Sequence, residues 1–115
     1  MSQCLFCKII RNEIPSRKVY EDEHVIAFHD IQPQAPVHLL VIPKIHRESV
    51  MDLEGDQDAL LAGRLFVSIR KIVLEQGLEG KGFRVVTNTG AEAGQSVFHL
   101  HFHLLAGRPL KWPPG

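Results

Sequence analysis

The chain has 115 residues, of which 44% are hydrophobic and 23% are charged, and its 13 basic and 13 acidic side chains cancel. This is the composition of a globular domain, and the balanced charge argues against an extended nucleic-acid groove. No apolar run approaches the ~18 residues of a transmembrane helix, and no signal-peptide h-region begins the sequence. We therefore expect a single domain over residues 1–115 in the cytoplasm, with no nucleic-acid or membrane partner.

The N-terminal part predicts a short helix and a hairpin. Apolar residues recur at spacings of three to five between residues 4 and 14, which predicts a short amphipathic helix that ends before Pro15. Residues 18–22 and 24–30 predict two short strands joined by an acidic turn. Pro33 and Pro36 follow in a segment that we interpret as an ordered loop, because proline cannot donate a ladder hydrogen bond.

The middle of the chain predicts the core. Residues 37–43 form a nearly continuous apolar run, which is typical of a central strand buried on both faces. His38 is the polar member of this run, and an isolated histidine there is more often a satisfied core residue than a functional one. Helical spacing from Asp56, a plausible N-cap, to a stop at Gly77 predicts a helix of about 20 residues. Residues 82–89 predict another strand, and a glycine-bearing loop follows it.

The segment from Gly94 to Leu105 holds three of the seven histidines within five residues. His99, His101 and His103 alternate with apolar residues, so the period of two predicts a strand with the three imidazoles on one face. At a rise of ~3.3 Å per residue the outer rings stand roughly 13 Å apart and adjacent rings roughly 6.5 Å apart. Only adjacent rings can therefore share one small ligand.

Together these elements predict an α+β domain built on a five-stranded antiparallel sheet, with one long and one short helix. The C-terminal residues 110–115 cannot continue a strand, because two prolines follow Trp112. An aromatic residue beside two prolines predicts a docking segment, and another subunit is a candidate for the surface that it contacts.

Three interpretations compete for the histidine strand, and a merely water-exposed polar face is the least favoured. A His-x-His pair can chelate zinc, with His38 as a third ligand from a neighbouring strand. A neutral imidazole can instead attack phosphorus or a carbonyl carbon and form a covalent intermediate that water resolves.

The residues before the strand favour the nucleophile. Gly94, Gln95 and Ser96 offer backbone N–H groups, an amide and a hydroxyl, which suit a phosphate or another oxyanion. No acidic residue follows Gln95 in the sequence to act as the base or the anchor of a catalytic zinc. An anion site with a histidine nucleophile is therefore favoured over a metal at the centre of the strand.

The same residues resemble a known family. The run His99-Leu-His-Phe-His-Leu-Leu matches the His-φ-His-φ-His-φ-φ signature of the histidine triad superfamily of nucleotide hydrolases and transferases. Several segments are similar to its Hint branch: Phe6-Cys-Lys-Ile-Ile, Ala27-Phe-His-Asp-Ile, His38-Leu-Leu-Val-Ile-Pro-Lys and Trp112-Pro-Pro-Gly. The C-terminal segment and the Gln95-Ser96 pair favour that branch over the dinucleoside polyphosphate hydrolases of the Fhit branch.

The resemblance implies a homodimer whose sheets join into one, and hydrolysis of purine nucleoside 5'-phosphoramidates with no cofactor required for catalysis. It makes His101 the nucleophile that takes the nucleoside monophosphoryl group, with its other ring nitrogen held by a backbone carbonyl. His38 becomes an orienting group behind the triad, and Ser96 or His103 protonates the leaving amine. The phosphate oxygens or the leaving amine are bound by Asn88, Gly94, Gln95, Ser96 and His103.

The resemblance also implies where the nucleoside binds. Asp30 accepts both ribose hydroxyls, for which a carboxylate is a natural acceptor. The purine base enters an apolar slot formed by Leu5, Phe6, Ile9, Phe28 and Ile31. In isolation these five residues are more often core than a nucleotide pocket, so their assignment rests on the resemblance.

The two cysteines form a C-x-x-C, which in a reducing compartment suggests metal or redox work before a structural disulfide. The pair departs from many Hint proteins and is similar to microbial triad proteins in which C-x-x-C joins two histidines around zinc. That resemblance implies a structural zinc held by Cys4, Cys7, His46 and His99, which pins the N-terminal helix to the sheet. The alternative is that both cysteines are buried small apolar residues.

Other functions stay open at this point. One is a nucleotide-dependent adaptor that binds another protein and hydrolyses its ligand only incidentally. A dinucleoside polyphosphate hydrolase and a zinc hydrolase that uses the triad as ligands are the remaining alternatives.

Overall fold

The structure, a computed structural model, describes residues 4–115. Within them the regular elements are, in chain order, α1 (Leu5–Ile10), β1 (Lys18–Glu21), β2 (Val25–His29), β3 (Val37–Pro43), α2 (Gly55–Gln76), β4 (Phe83–Val86) and β5 (Phe102–Ala106). Single 3-10 turns at Val50–Asp52 and Ala91–Ala93 lie in the connections. No helix in this part of the chain is long and apolar enough to cross a membrane.

The strands form one antiparallel sheet in the order β1-β2-β3-β5-β4. β3 lies at its centre, paired with β2 on one side and β5 on the other, and all of its residues after Val37 are buried. The uninterrupted apolar run of β3 is thus explained by burial on both faces. The predicted α+β architecture with a five-stranded antiparallel sheet is confirmed.

The two faces of the sheet are covered by different elements. On one face α2 packs its apolar stripe against the sheet in a core cluster that includes Leu39, Leu65 and Leu104. On the other face α1 packs against β2 and β3 in a second cluster, whose members are Phe6, Ile9, Ile26, Phe28, Leu40 and Ile42. β5 continues this second face, because His103 is the cross-strand partner of Leu40. α1 therefore lies close to the start of β5, and the Phe6 ring of α1 contacts the ring of His101.

Both helices differ from the prediction at one end. α1 ends at Ile10, because Asn12 adopts a left-handed φ of 61° and the N–H of Glu13 donates to the carbonyl of Lys8 at 2.8 Å. This is a Schellman ending, in which asparagine takes the place usually held by glycine. α2 begins at Gly55, before the expected Asp56, and ends as predicted with Gly77 in the left-handed conformation.

The turn after β5 supplies a prediction about stability. Gly107 has φ of +98°, and a Cβ built on it would lie 2.8 Å from Cβ of Pro36. We expect Gly107→Ala to lower the free energy of unfolding by about 2–4 kcal/mol, because it adds both backbone strain and a steric clash. The measurement is urea unfolding of the variant and the parent chain.

Gly63 is the matched control. It lies exposed on α2, and a Cβ there would meet no atom within 4 Å. Gly63→Ala should raise the free energy of unfolding by about 0.5–1 kcal/mol, as expected for an open helical position. Equal effects of the two substitutions would contradict the role assigned to Gly107.

Candidate active site

The histidine segment is less regular than the predicted strand over residues 94–105, since β5 begins only at Phe102. The backbone just before β5 forms hydrogen bonds with groups outside the strand pairing of the sheet. Thr87 Oγ1 donates to the carbonyl of His101 at 2.8 Å, and the N–H of Leu100 donates to the carbonyl of Arg47 at 2.6 Å. These contacts connect distant parts of the chain, so the local period of two could not reveal them.

The three imidazoles occupy two different environments. His101 and His103 line one cavity of about 890 Å³, and their ring centroids are 5.0 Å apart. His99 is fully buried, and its Nδ1 faces the two cysteines instead. The three residues that look equivalent in the sequence therefore divide into a pair on the cavity and one member of a cysteine and histidine cluster.

His101 is held in a single tautomer. Its Nδ1 lies 2.6 Å from the carbonyl oxygen of His99, which can only accept, so Nδ1 carries the proton and Nε2 keeps a lone pair. Burial lowers the pKa of His101, and the hydrogen bond to His99 opposes that effect. A neutral imidazole with a free Nε2 on a cavity wall has the form that a histidine nucleophile requires.

A hydrogen-bonded chain leads from the loop before β3 to His103. The N–H of Gln34 donates to His38 Nδ1 at 2.9 Å, so the proton of His38 is on Nε2. His38 Nε2 is 2.9 Å from His103 Nδ1 and 3.4 Å from Asp30 Oδ2. When Nε2 of His38 donates to Nδ1 of His103, the proton of His103 is left on its own Nε2, where it can be donated to a ligand.

The pKa values of His38 and His103 are lowered by their surroundings. Burial lowers the pKa of His38, against the opposing effect of the Asp30 carboxylate. Burial, followed by the nearby His101 and His38 rings, lowers the pKa of His103 to about 4. The imidazoles of the cavity are therefore neutral near pH 7, and they serve as directed donors and acceptors rather than as cations.

Asp30, His38 and His103 also lie close enough together to be considered as metal ligands. The hydrogen bonds do not fit that interpretation, because His38 turns a protonated Nε2 toward the group and its Nδ1 is occupied by Gln34. A metal needs a lone pair from each ligand atom. The arrangement is therefore a hydrogen-bond chain that orients His103.

All five residues predicted to form the base slot line the cavity: Leu5, Phe6, Ile9, Phe28 and Ile31. Asp30 lies on the same wall, and its Oδ1 accepts the N–H of Gln32 at 2.7 Å. Leu40 and Val97 also line the cavity, and sequence reasoning missed them. Leu40 could have been found from its position two residues after His38 in β3, which places both on one face.

The predicted phosphate-binding residues do not all lie on this cavity. Ser96 lines it beside His101 and His103. Asn88 instead lines a smaller cavity of about 470 Å³ with His38 and His103, on which Arg84, Gln34 and the C-terminal Pro114 and Gly115 also lie. Gly94 ends the second 3-10 turn with φ of +90°, a conformation that favours glycine. His103 is thus shared by two cavities, one lined by α1 and one by the C-terminal segment.

Gln95 uses its side chain to hold the backbone. Its Oε1 accepts the N–H of Gly90 at 2.9 Å, and its Nε2 donates to the carbonyls of Glu48 at 2.7 Å and Val97 at 3.2 Å. The residue is buried, and its own N–H donates to the carbonyl of Gly90. Gln95 therefore clamps the loop before the histidines to the segment after β3, and in this arrangement its amide is not turned to a ligand.

The four residues predicted to hold zinc come together. Their ligand atoms all lie within 4.8 Å of one another: Cys4 Sγ, Cys7 Sγ, His46 Nδ1 and His99 Nδ1. Sulfur-to-nitrogen distances are 3.4 Å for Cys4 and His99 and 3.4 Å for Cys7 and His46, close to the about 3.5 Å edge of a tetrahedral zinc site. His99 Nε2 donates to the carbonyl of Pro43 at 2.8 Å, which leaves the lone pair on Nδ1. Donor types, spacing and tautomer all fit a closed zinc site.

Gln95 supplies a test that separates holding the backbone from binding a ligand. We expect Gln95→Leu to lower the free energy of unfolding by about 2–4 kcal/mol, because three backbone groups lose their partner. Urea unfolding measures the change, and Glu92→Gln, an exposed change in the same loop, should stay within about 0.5 kcal/mol. Unchanged stability together with weakened phosphate binding would contradict this role and would indicate that Gln95 binds phosphate directly.

The lowered pKa of His103 predicts a pH dependence of stability. Between its ordinary value of 6.5 and about 4, the unfolded chain binds a proton that the folded chain does not. The free energy of unfolding should therefore fall as pH falls through this window, and this contribution should be absent from His103→Asn. The measurement is the difference in unfolding free energy between about pH 7 and about pH 5. An identical difference in the parent chain and the variant would contradict the neutral state of His103.

Comparison with known proteins identifies the family of this chain. The HIT domain family matches residues 11–110. The purine nucleoside phosphoramidase of Escherichia coli is 46% identical over 108 residues, which cover 94% of this chain and 90% of that protein. A 14 kDa zinc-binding protein of Brassica juncea is 46% identical over 113 residues, covering 96% of this chain and 98% of that protein.

A solved structure shows the same fold. The HIT family hydrolase from Legionella pneumophila superimposes with a TM-score of 0.94 at 46% sequence identity, over 98% of this chain and 100% of that chain. The match of the family over most of the sequence, together with the histidines around the cavity, shows that this chain belongs to the HIT domain family.

Proposed function

We propose that this chain hydrolyses purine nucleoside 5'-phosphoramidates to a nucleoside monophosphate and an amine. The observation that carries the proposal is the state of His101, a neutral imidazole with Nδ1 tied to a backbone carbonyl and Nε2 free beside a large, mostly apolar cavity. Such a group is prepared to attack phosphorus without losing a proton first. The family and its solved hydrolase structures support hydrolysis, and the phosphorus–nitrogen bond is the finer part of the proposal.

The cavity supports a purine nucleotide as substrate. Its apolar wall, in which the Phe6 and Phe28 rings meet edge to face with centroids 5.6 Å apart, suits a flat base. Asp30 lines the same cavity, with its Oδ2 3.4 Å from Nε2 of His38, and can accept the ribose hydroxyls. A base in the slot therefore places the 5'-phosphorus toward His101, Ser96 and His103.

The first step forms a nucleotidyl-histidine. The Nε2 lone pair of His101 attacks phosphorus, the phosphorus–nitrogen bond breaks, and its electron pair leaves on the amine nitrogen. That nitrogen takes a proton from Ser96 or from Nε2 of His103, since both line the cavity beside His101. The carbonyl of His99 steadies the positive charge that the His101 ring gains in the intermediate.

The second step returns the enzyme to its starting state. Water attacks phosphorus, the bond from Nε2 of His101 to phosphorus breaks, and the electron pair returns to the ring. One proton of the water goes to the group that protonated the amine, and the hydroxyl remains on the nucleoside monophosphate. Atoms and charges balance with water as the second substrate, and no residue is consumed.

We also propose a structural zinc in the Cys4, Cys7, His46 and His99 cluster. The set contains two thiols and two imidazoles, a ratio typical of closed structural sites, and it leaves no open position for substrate. Relatives named as zinc-binding proteins support this proposal. The zinc would cross-link α1 to the two segments that carry His46 and His99. It would take no part in the reaction, which is carried out by His101 and its proton donor.

A homodimer is the assembly that the sheet supports. β4 lies at one edge of the sheet, and an edge strand offers unpaired backbone groups to a second copy. Phe66 on α2 and Phe83 on β4 are 54% and 42% exposed. The Phe66 ring packs against the ring of Phe102 on β5, the strand next to β4, with centroids 5.2 Å apart. Exposed aromatic side chains next to a free edge suit pairing of two sheets into one.

Replacement of the nucleophile tests the mechanism. We expect His101→Ala to reduce kcat for an adenosine 5'-phosphoramidate by at least about 10⁴-fold, as is typical for loss of a covalent nucleophile. Binding of AMP should persist, because the slot and Asp30 remain. Release of AMP at saturating substrate gives the rate, and calorimetry gives the affinity.

His24→Ala is the matched control, since this histidine lies in the turn before β2 and does not line the cavity. It should leave both quantities unchanged. Retained turnover in His101→Ala would refute the covalent mechanism. A zinc hydrolase that uses the triad as ligands would instead lose bound metal together with turnover in His101→Ala, whereas the cysteine and histidine cluster does not contain His101 and would keep its zinc.

A further inference from the structure

We propose that the cysteine and histidine cluster positions the nucleotide site, so that zinc and purine monophosphate bind with positive cooperativity. In this proposal Cys4 and Cys7 are positioning residues for the base slot, and His99 connects the metal to the nucleophile. The proposal rests on the proposed nucleotide-binding function. It adds a thermodynamic link between two sites that have no residue in common.

The first connection runs through α1. Cys4 and Cys7 bracket Leu5 and Phe6, and both of these intervening residues line the cavity. The Phe6 ring contacts the His101 ring edge to face, with centroids 5.1 Å apart. α1 has six residues, fewer than an isolated helix needs to be stable, so its position depends on tertiary contacts. Fixing both cysteines therefore fixes a wall of the slot.

The second connection runs through His99. Its side-chain Nδ1 faces Sγ of Cys4 at 3.4 Å, while its backbone carbonyl accepts Nδ1–H of His101 at 2.6 Å. The residues from Gln95 to His101 belong to no strand or helix, so no ladder holds this carbonyl in place. The Nε2 of His99 already donates to the carbonyl of Pro43, and a ligand on Nδ1 would add a second anchor to the ring. That anchor would restrict the carbonyl of the same residue, which sets the tautomer of the nucleophile.

The third connection runs through the segment after β3. His46 Nδ1 is 3.4 Å from Cys7 Sγ, and the next residue, Arg47, accepts the N–H of Leu100 through its carbonyl at 2.6 Å. Arg47 also pairs with Asp58 of α2 at 3.0 Å. One metal ion would therefore join three separate chain segments, two of which carry residues of the nucleotide cavity. The contacts between its thiols and imidazoles, at 3.4 to 3.6 Å, are weak by comparison, because a thiol is a weak donor and acceptor.

The effect of zinc on AMP affinity tests the proposed coupling. AMP affinity is measured by calorimetry, under a phosphine reductant, for the zinc-loaded protein and for protein stripped with a chelator and returned to buffer. We expect zinc to tighten AMP binding by about 5- to 150-fold, the range of typical coupled sites, and saturating AMP to tighten zinc binding by the same factor. A zinc that only stabilised the fold would leave the AMP affinity of the folded protein unchanged.

Cys4→Ser is the informative variant. Cys4 Sγ accepts the N–H of Cys7 as the N-cap of α1, and serine is a favourable N-cap, so the variant keeps the cap and loses the thiolate. Its zinc affinity should fall, and at zinc concentrations that saturate the parent its AMP affinity should match that of the stripped protein. Lys8→Ala, a change in α1 outside the cluster, should keep the full coupling.

The outcomes separate the two proposals. Equal AMP affinity with and without bound zinc overturns the coupling and leaves the hydrolase proposal standing. Failure to bind AMP in either state overturns both. Failure to bind zinc overturns the coupling and the structural zinc, while turnover that still depends on His101 would keep the proposed reaction.

Discussion

The hydrogen bond from Nδ1 of His101 to the carbonyl of His99 is the interaction on which the rest of the site depends. It is short, at 2.6 Å, and both partners are buried, so water cannot replace the acceptor. The bond places the lone pair of His101 on Nε2 and prepares the carbonyl to steady a positive ring during reaction. Its geometry requires an irregular backbone, because in a regular strand side chains stand out from the sheet.

The same device recurs around the site, where main-chain groups determine the tautomers of three histidines and, through one of them, that of a fourth. The N–H of Gln34 sets His38, which in turn sets His103, and the carbonyl of Pro43 sets His99. Backbone groups do not titrate, so the partners that set His38, His99 and His101 do not change their own protonation with pH. A site built this way can use neutral imidazoles both as acceptor and as donor, with each role decided by the hydrogen-bond partner of the other ring nitrogen.

Much of this was predictable from the sequence. β3 and α2 were predicted closely, because a long apolar run and a long helical period are strong local signals. The slot residues Phe6 and Phe28 were assigned through resemblance, since in the sequence they cannot be told from ordinary core. The early end of α1 at Ile10 and the start of β5 at Phe102 escaped prediction, because each depends on backbone hydrogen bonds that periodicity does not describe.

The sequence by itself determined the α+β architecture and the grouping of three histidines, and its resemblance to known proteins suggested the two cysteines and two histidines as a ligand set. It also contained the family signature. Only the tertiary structure decided that Asn88 lies on a second cavity and that the amide of Gln95 binds backbone. The physical reason is that residue spacing determines the face of a side chain, whereas its hydrogen-bond partner can come from a segment 47 or 95 positions away.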